Sequence, residues 1–269
     1  MAKIAPPKTA PLITLTTDFG LSDPYVGQVK GVILGLCPGA SLVDLSHDIP
    51  PQKIDRAGLM VASSYPYFPP GTIHLAVVDP GVGTSRRAIL VQAGGQMFIA
   101  PDNGLLTRVI KAHPRAKIRE IINPEVMNHR ISPTFHGRDV FAPVTGRLAA
   151  GLAPTEVGPK LLDPVLSAPV LPSLRRGIIR GRVVYADRFG NLVTNVPVAL
   201  VEKSPGLGPV KVRIGGQELT GLHLTYAEKE AGLPMALVGG LDYLEVAVNQ
   251  GRADEYFGLG EGAEVEVEL

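Results

Sequence analysis

A chain of 269 residues with 45% hydrophobic and 19% charged residues is too apolar for a disordered protein and long enough for one large domain or two modest ones. Its 26 basic and 25 acidic residues leave a formal charge of +1, so no global field draws it to nucleic acid or to an anionic membrane, and any partner has to be recognised locally. The 31 glycines and 25 prolines, without a short repeat, point to turn-rich α/β or β architecture, and a lone Cys37 excludes an intrachain disulfide framework and a Cys-rich zinc site.

The opening residues, Met1 to Lys8, lack a secretory apolar core, and no apolar run approaches membrane-spanning length. The expectation is a soluble, cytoplasmic protein. Leu12 to Thr17 reads as a strand ending in Asp18-Phe19-Gly20. Ser22-Asp23-Pro24 has the composition of a capped helix start, and Tyr25 to Leu36 has helical spacing up to Pro38-Gly39. Ser41 to Leu45 is a second strand and Ile54 to Ser64 a second helix. Thr72 to Val78 is a third strand, ending in Asp79-Pro80-Gly81. Ala88 to Ala93 and Met97 to Ala100 form a strand pair turning at Gly94-Gly95, and helical stretches follow at Leu105 to Lys111 and Val140 to Ala150. This alternation predicts an α/β domain over residues 1–162 with a largely parallel sheet covered on both faces.

A proline-punctuated segment, 163–177, reads as a linker. Beyond it, short β-like runs at 178–185, 192–196, 210–214, 235–238 and 243–248 precede the strictly alternating Glu264 to Leu269. Short strands with Gly-rich turns predict a small β-barrel domain over 178–269.

Three strands of the first domain end in Asp18, Asp79 and Asp102, each beside Pro or Gly. In an open parallel sheet such ends share one edge, where ligands bind, although Asp in these settings is also a common turn former. Gly81-Val82-Gly83-Thr84-Ser85-Arg86-Arg87 lacks the third glycine of a dinucleotide fingerprint and the Gly-Lys-Ser/Thr of a P-loop, and a strand follows it, so neither motif applies. One of Arg86 and Arg87 is placed to meet Asp79 across the turn. His47 and His136 stand in polar loops without zinc-ligand spacing, so no metal is expected. Gly137 allows close approach of a ligand, and Asp139 is a candidate cap of the next helix. In the second domain, Asp187-Arg188-Phe189-Gly190-Asn191 interrupts two strands; it is either a plain turn or a nucleoside contact supplying a carboxylate, a ring face and an amide.

Thr17-Asp18-Phe19-Gly20, Val78-Asp79-Pro80-Gly81-Val82-Gly83, Ala100-Pro101-Asp102-Asn103-Gly104, Thr134-Phe135-His136-Gly137-Arg138-Asp139 and Asp187-Arg188-Phe189-Gly190-Asn191 occur in that order. Together they resemble the S-adenosyl-L-methionine (SAM) hydroxide adenosyltransferases, adenosine-forming SAM hydrolases related to fluorinase and chlorinase. The resemblance runs from about residue 12 through Tyr243 to Asn249. It implies a homotrimer with SAM bound between neighbouring subunits, and hydrolysis of SAM to adenosine and L-methionine without a cofactor. By motif position Asp79, Arg86 and His136 match a water-activating triad. Asp18 would hold the ribose hydroxyls, Thr134 and Phe135 would flank the substrate, Phe189 and Asn191 would meet adenine, and Asp187 the methionyl ammonium. Gly137 stands where the halogenases carry serine, and Asp79 where they carry tyrosine; both differences favour water over halide. Gly239-Gly240-Leu241-Asp242 departs from the family pattern and leaves the methionyl carboxylate without an assigned partner. The competing readings are a non-catalytic SAM or nucleoside binder and a halide-using adenosyl transferase.

Overall fold

A computed structural model describes residues 10–167, 172–202 and 209–269, and the chain divides into two compact units, Met1–Ala168 and Pro169–Leu269. The first unit is built on a six-stranded sheet of β1 (Leu12–Thr17), β2 (Ser41–Ser46), β3 (Ile73–Val77), β4 (Ala88–Ala93), β5 (Gln96–Pro101) and β6 (Lys117–Glu120), in the order β2-β1-β3-β5-β4-β6. Strands β2, β1, β3 and β5 are parallel, and the β4/β5 hairpin and β6 add an antiparallel edge. The largely parallel α/β reading therefore holds. The edge strand β6 escaped the sequence because its Lys-Ile-Arg-Glu composition carries little apolar signal.

Strand residues alternate between two cores. Ile13, Leu15, Ile73, Leu75 and Val77 pack with α1 (Tyr25–Leu36) and a later helix, α4 (Ala142–Ala149). Ala76, Val78, Ile89 and Phe98 face α2 (Ile54–Ser64) and α3 (Thr107–Ala112). Helix α1 forms because Val26, Val29 and Ile33 recur on one face, each burial contributing roughly 1.5–3 kcal/mol. Its start differs from expectation: Pro24 occupies the cap position and no side chain caps the helix, so Ser22 and Asp23 are not the cap. The expected helix from Val140 begins earlier, as a wide π-helical turn over Gly137–Phe141 that runs into α4. Asp139 does not cap it. The carboxylate instead takes two bonds from Arg138, at 2.8 and 2.9 Å, and holds the preceding loop through Ser132 N and Asn128 Nδ2. These donors keep the Asp139 carboxyl at about 2 despite its burial.

Between the α2 face and the sheet lies a polar chain inside the apolar core. His74 stacks on Phe98 and bonds Thr14 Oγ1 through Nδ1 (2.7 Å) and Gln96 Oε1 through Nε2 (2.9 Å). Gln96 Nε2 donates to the Phe68 carbonyl, so Oε1 accepts and the His74 proton sits on Nε2. Burial pushes His74 down to about 4. The unfolded chain takes this proton near pH 6.5 and the folded one only near 4, so stability falls as pH drops through that window. Complete loss below it is worth roughly 3 kcal/mol. Denaturant midpoints at pH 7.5 and 4.5 should therefore separate wild type from His74→Gln, with the variant lacking most of the acid-dependent loss. Equal losses would rule the histidine out as its source.

Residues 163–167 of the expected linker are docked on the first unit. Arg87 bonds the Asp163 carboxylate and carbonyl, Val165 N donates to Asp102 Oδ1 (2.8 Å), and Ser167 N donates to Thr107 Oγ1 (3.1 Å). Residues 168–171 lie outside the described residues. The rest of the expected linker includes a short strand, β7 (Ser173–Arg175).

The second unit is a nearly closed antiparallel barrel of β8 (Ile178–Ala186), β9 (Leu192–Pro197), β10 (Lys211–Ile214), β11 (Gln217–Thr220), β12 (Pro234–Val238), β13 (Tyr243–Val248) and β14 (Glu264–Glu268). Their order is β11-β10-β14-β8-β9-β13-β12, with β7 added on β8 and the terminal strands β11 and β12 approaching each other. In β14 the alternating pattern buries Val265 and Val267 and leaves the glutamates outward, as the period of two requires. Short helices α5 (Val198–Glu202) and α6 (Ala253–Phe257) pack beside β9 and β13, respectively. No helix among the described residues is long and apolar enough to cross a membrane.

Candidate active site

Strand β1 connects through α1 to β2 on one side, and β2 returns through α2 to β3 on the other. Chain direction across the sheet thus reverses between β1 and β3, and a crevice opens beyond their carboxyl ends. A cleft of about 330 Å³ lies there, lined by Asp18 and Phe19 after β1, Gln52, Asp79 and Val82 after β3, and Thr134 to Gly137.

Arg86 organises one wall. Its Nε lies 2.9 and 3.0 Å from the two Asp79 oxygens, and its Nη2 donates to Asp79 Oδ2 and, at 2.8 Å, to His136 Nδ1. The two charged side chains are nearly out of water, at 11% and 6% exposure, so their attraction is little screened and removal of either would strand a buried charge. The guanidinium also lies 5.2 Å over the Phe141 ring. A guanidinium only donates, so His136 Nδ1 must be the bare nitrogen and Nε2 carries the proton. Burial and the Arg86 charge hold His136 below its ordinary value, against the opposing pull of Asp79 and Asp139. His136 is therefore neutral at pH 7.

Loop contacts bring these residues into reach. Gly83 has φ +78°, and a Cβ there would be driven into the Pro133 carbonyl. The glycine thus seats the 79–87 turn directly on the loop that carries His136. Phe19, Tyr25 and Phe135, the residue before His136, form edge-to-face pairs with centroids 5.2–6.3 Å apart. A Cβ on Gly137 would sit 3.0 Å from Phe19 Cζ and 3.2 Å from Phe135 Cε2, so a serine there requires the aromatic pair to give way.

Of the three strand-end aspartates, only Asp18 and Asp79 line this cleft. Asp102 is buried and holds the docked segment instead, accepting from Arg87 Nε (2.8 Å) and Val165 N. Asp18 Oδ2 accepts from Gln52 N (3.0 Å), whose residue has φ +68°. Gln52 had no signal in the sequence beyond its place after Pro50-Pro51. Among the described residues no three His, Cys, Asp or Glu side chains gather into a set that could hold a metal ion.

In the second unit, Phe189, Asn191, Tyr226, Gln250 and Arg252 line a cleft of about 530 Å³. Phe189 is 73% exposed while Asn191 is buried. Asp187 underpins the loop: Oδ1 accepts from Phe189 N and Asn191 N, and Oδ2 from Asn191 Nδ2. The turn reading and an upward-facing ring therefore coexist. Tyr226 and Arg252, which the sequence did not single out, complete the wall; Tyr226 is fixed by a 2.8 Å bond to buried Glu245.

Comparison with known proteins places the chain in a family. The family model described as SAM hydroxide adenosyltransferase N-terminal domain matches residues 13–158, and its C-terminal counterpart matches 181–266. An (R)-S-adenosyl-L-methionine hydrolase of Thermus thermophilus is 41% identical across 93% of this chain and 96% of its own. One from Salinispora tropica is 36% identical across 96% and 97%, and a fluorinase of Actinoplanes sp. is more distant, at 29% across 89% and 91%. The crystal structure of a conserved protein from Thermotoga maritima superposes with a TM-score of 0.89 at 37% identity, covering 96% of this chain and 100% of that one. Matched in order by both domain models and related at this level over nearly its whole length, the chain belongs to the SAM hydroxide adenosyltransferase family.

Proposed function

We propose that the protein hydrolyses SAM to adenosine and L-methionine. The observation that carries this reading is the Asp79–Arg86–His136 cluster facing a cleft that also holds Asp18, in a chain 41% identical to an (R)-SAM hydrolase. Water attacks the ribose C5′, the C5′–S bond breaks, and its electron pair converts the sulfonium into neutral methionine thioether.

Making free hydroxide from water of pKa 15.7 at pH 7 costs about 12 kcal/mol, whereas a cation 4 Å away supplies about 4 kcal/mol at an effective dielectric near 20. Arg86 alone therefore cannot prepare hydroxide. The water instead loses its proton as the C–O bond forms, when its acidity rises steeply. Arg86 is always protonated and the His136 Nδ1 lone pair is taken by it, so Asp79 is the acceptor. His136 offers its Nε2–H to the water oxygen and Arg86 fixes both partners. Combining a carboxylate with a sulfonium annihilates charge, so exclusion of bulk water favours the step.

Asp18 takes the ribose hydroxyls, with Thr134 and Phe135 beside them; Phe189 and Asn191 take adenine, and Asp187 faces the methionyl ammonium. Phe189 is well suited by its exposed ring, and Asn191 by an amide already oriented through Asp187. The reaction requires no cofactor. Assembly as a cytoplasmic homotrimer with substrate between neighbouring subunits belongs to the same reading, and sedimentation velocity tests it.

Incubation of the purified protein with SAM, with and without chloride, followed by chromatography, is expected to give adenosine and methionine in equal amounts and no chlorinated nucleoside. Unchanged SAM would make the protein a binder, and 5′-chloro-5′-deoxyadenosine would make it a halogenase.

A further inference from the structure

Asp18 is aimed by a chain of hydrogen bonds that begins on the opposite side of β1. His47, just after β2, is 4% exposed. Its carbonyl accepts from Gly20 N (2.8 Å), and its Nδ1 lies 2.7 Å from Thr17 Oγ1. Thr17 Oγ1 is in turn 3.3 Å from Phe19 N. The backbone N–H can only donate, so Thr17 Oγ1 accepts from it and keeps its own proton to offer to His47 Nδ1.

This direction requires a bare Nδ1 and a protonated Nε2. The Nε2 lies 3.0 Å from Asp44 Oδ1, off the axis of a straight hydrogen bond, where the carboxylate charge still favours the protonated nitrogen. Lys30 holds the other Asp44 oxygen at 2.6 Å. Residues on both sides of Asp18 are thus tied to His47, and Asp18 Oδ2 is tied to Gln52 N on the same descending segment. Held at three points, two of them on His47, the Asp18 backbone has little freedom to turn.

We infer that His47, acting through Thr17, is a positioning residue that sets the direction of the Asp18 carboxylate and so the enzyme's selectivity for an intact ribose diol. The inference rests on the proposed role of Asp18. It is tested by comparing SAM with its 2′-deoxy analogue. Wild type should prefer SAM in kcat/KM by about tenfold or more, the range of a hydrogen bond to a charged group. Thr17→Val, nearly isosteric but without the hydroxyl, should raise KM for SAM about tenfold while changing kcat/KM for the deoxy analogue less than twofold. Thr17→Ser restores the hydroxyl and should recover most of the discrimination. His47→Ala carries the same readout should Thr17→Val fail to fold. Equal losses on both substrates would reduce the pair to a structural support and overturn the inference. A wild-type enzyme that treats the two substrates alike would overturn the ribose role of Asp18 and this inference together.

Discussion

Replacing Asp79 with asparagine is expected to lower kcat for SAM cleavage by about 10²- to 10⁴-fold, the usual share of a positioned general base, while changing SAM affinity less than about tenfold. The asymmetry follows from placement. Both Asp79 oxygens are turned to Arg86 at the wall of the cleft, and the carboxylate gains its importance as the attacking water sheds a proton. The amide keeps the shape and removes the acceptor charge. It also leaves a nearly buried guanidinium without its counter-ion, a loss of about 3–5 kcal/mol in stability. Thermal unfolding must therefore accompany single-turnover kinetics and calorimetric titration with SAM. A folded Asp79→Asn protein turning over at the wild-type rate would remove Asp79 from the chemistry.

The second large effect is expected from Gly83→Ala, in a residue that need not touch substrate at all. Positive φ alone costs an ordinary residue about 1–2 kcal/mol. The added methyl group also meets the Pro133 carbonyl, backbone that cannot rotate aside, so the 79–87 turn and the His136 loop must separate. A displacement near 1 Å is enough to cost about 10² in rate. Gly71→Ala is the control: φ is +88° there as well, but nothing lies within 4 Å of the added carbon. Turnover should fall far more for Gly83→Ala than for Gly71→Ala when each is assayed below its own unfolding transition. Similar losses in the two would mean that backbone conformation, not the approach of the loops, is what matters at Gly83.

Strands, helices and the change from α/β to barrel were readable because apolar periodicity reports directly on burial: β1, α1, α2, β13 and β14 lie where their patterns place them. Failures fell where a residue's fate depends on a partner far along the chain. Asp18, Asp79 and Asp102 have the same local setting, and what separates them is which donor arrives. Arg86 reaches Asp79 and its neighbour Arg87 reaches Asp102, the two side chains turning opposite ways as the extended chain enters β4. Likewise Asp139 had the local look of a helix cap, and only the fold shows that Arg138, Ser132 and Asn128 claim it. Tyr226 and Arg252 were invisible because a lone aromatic or cation in a barrel loop has no periodic signature.

The wide turn at Gly137–Phe141 holds about one residue more than an α-helical turn of 3.6 would. A turn this wide absorbs its extra residue, so losing one residue there would restore an ordinary α-helical turn and leave His136 close to its present direction, whereas the same loss inside α4 would rotate everything before it by about 100°. Tolerance of a one-residue deletion is thereby confined to a single turn of the helix.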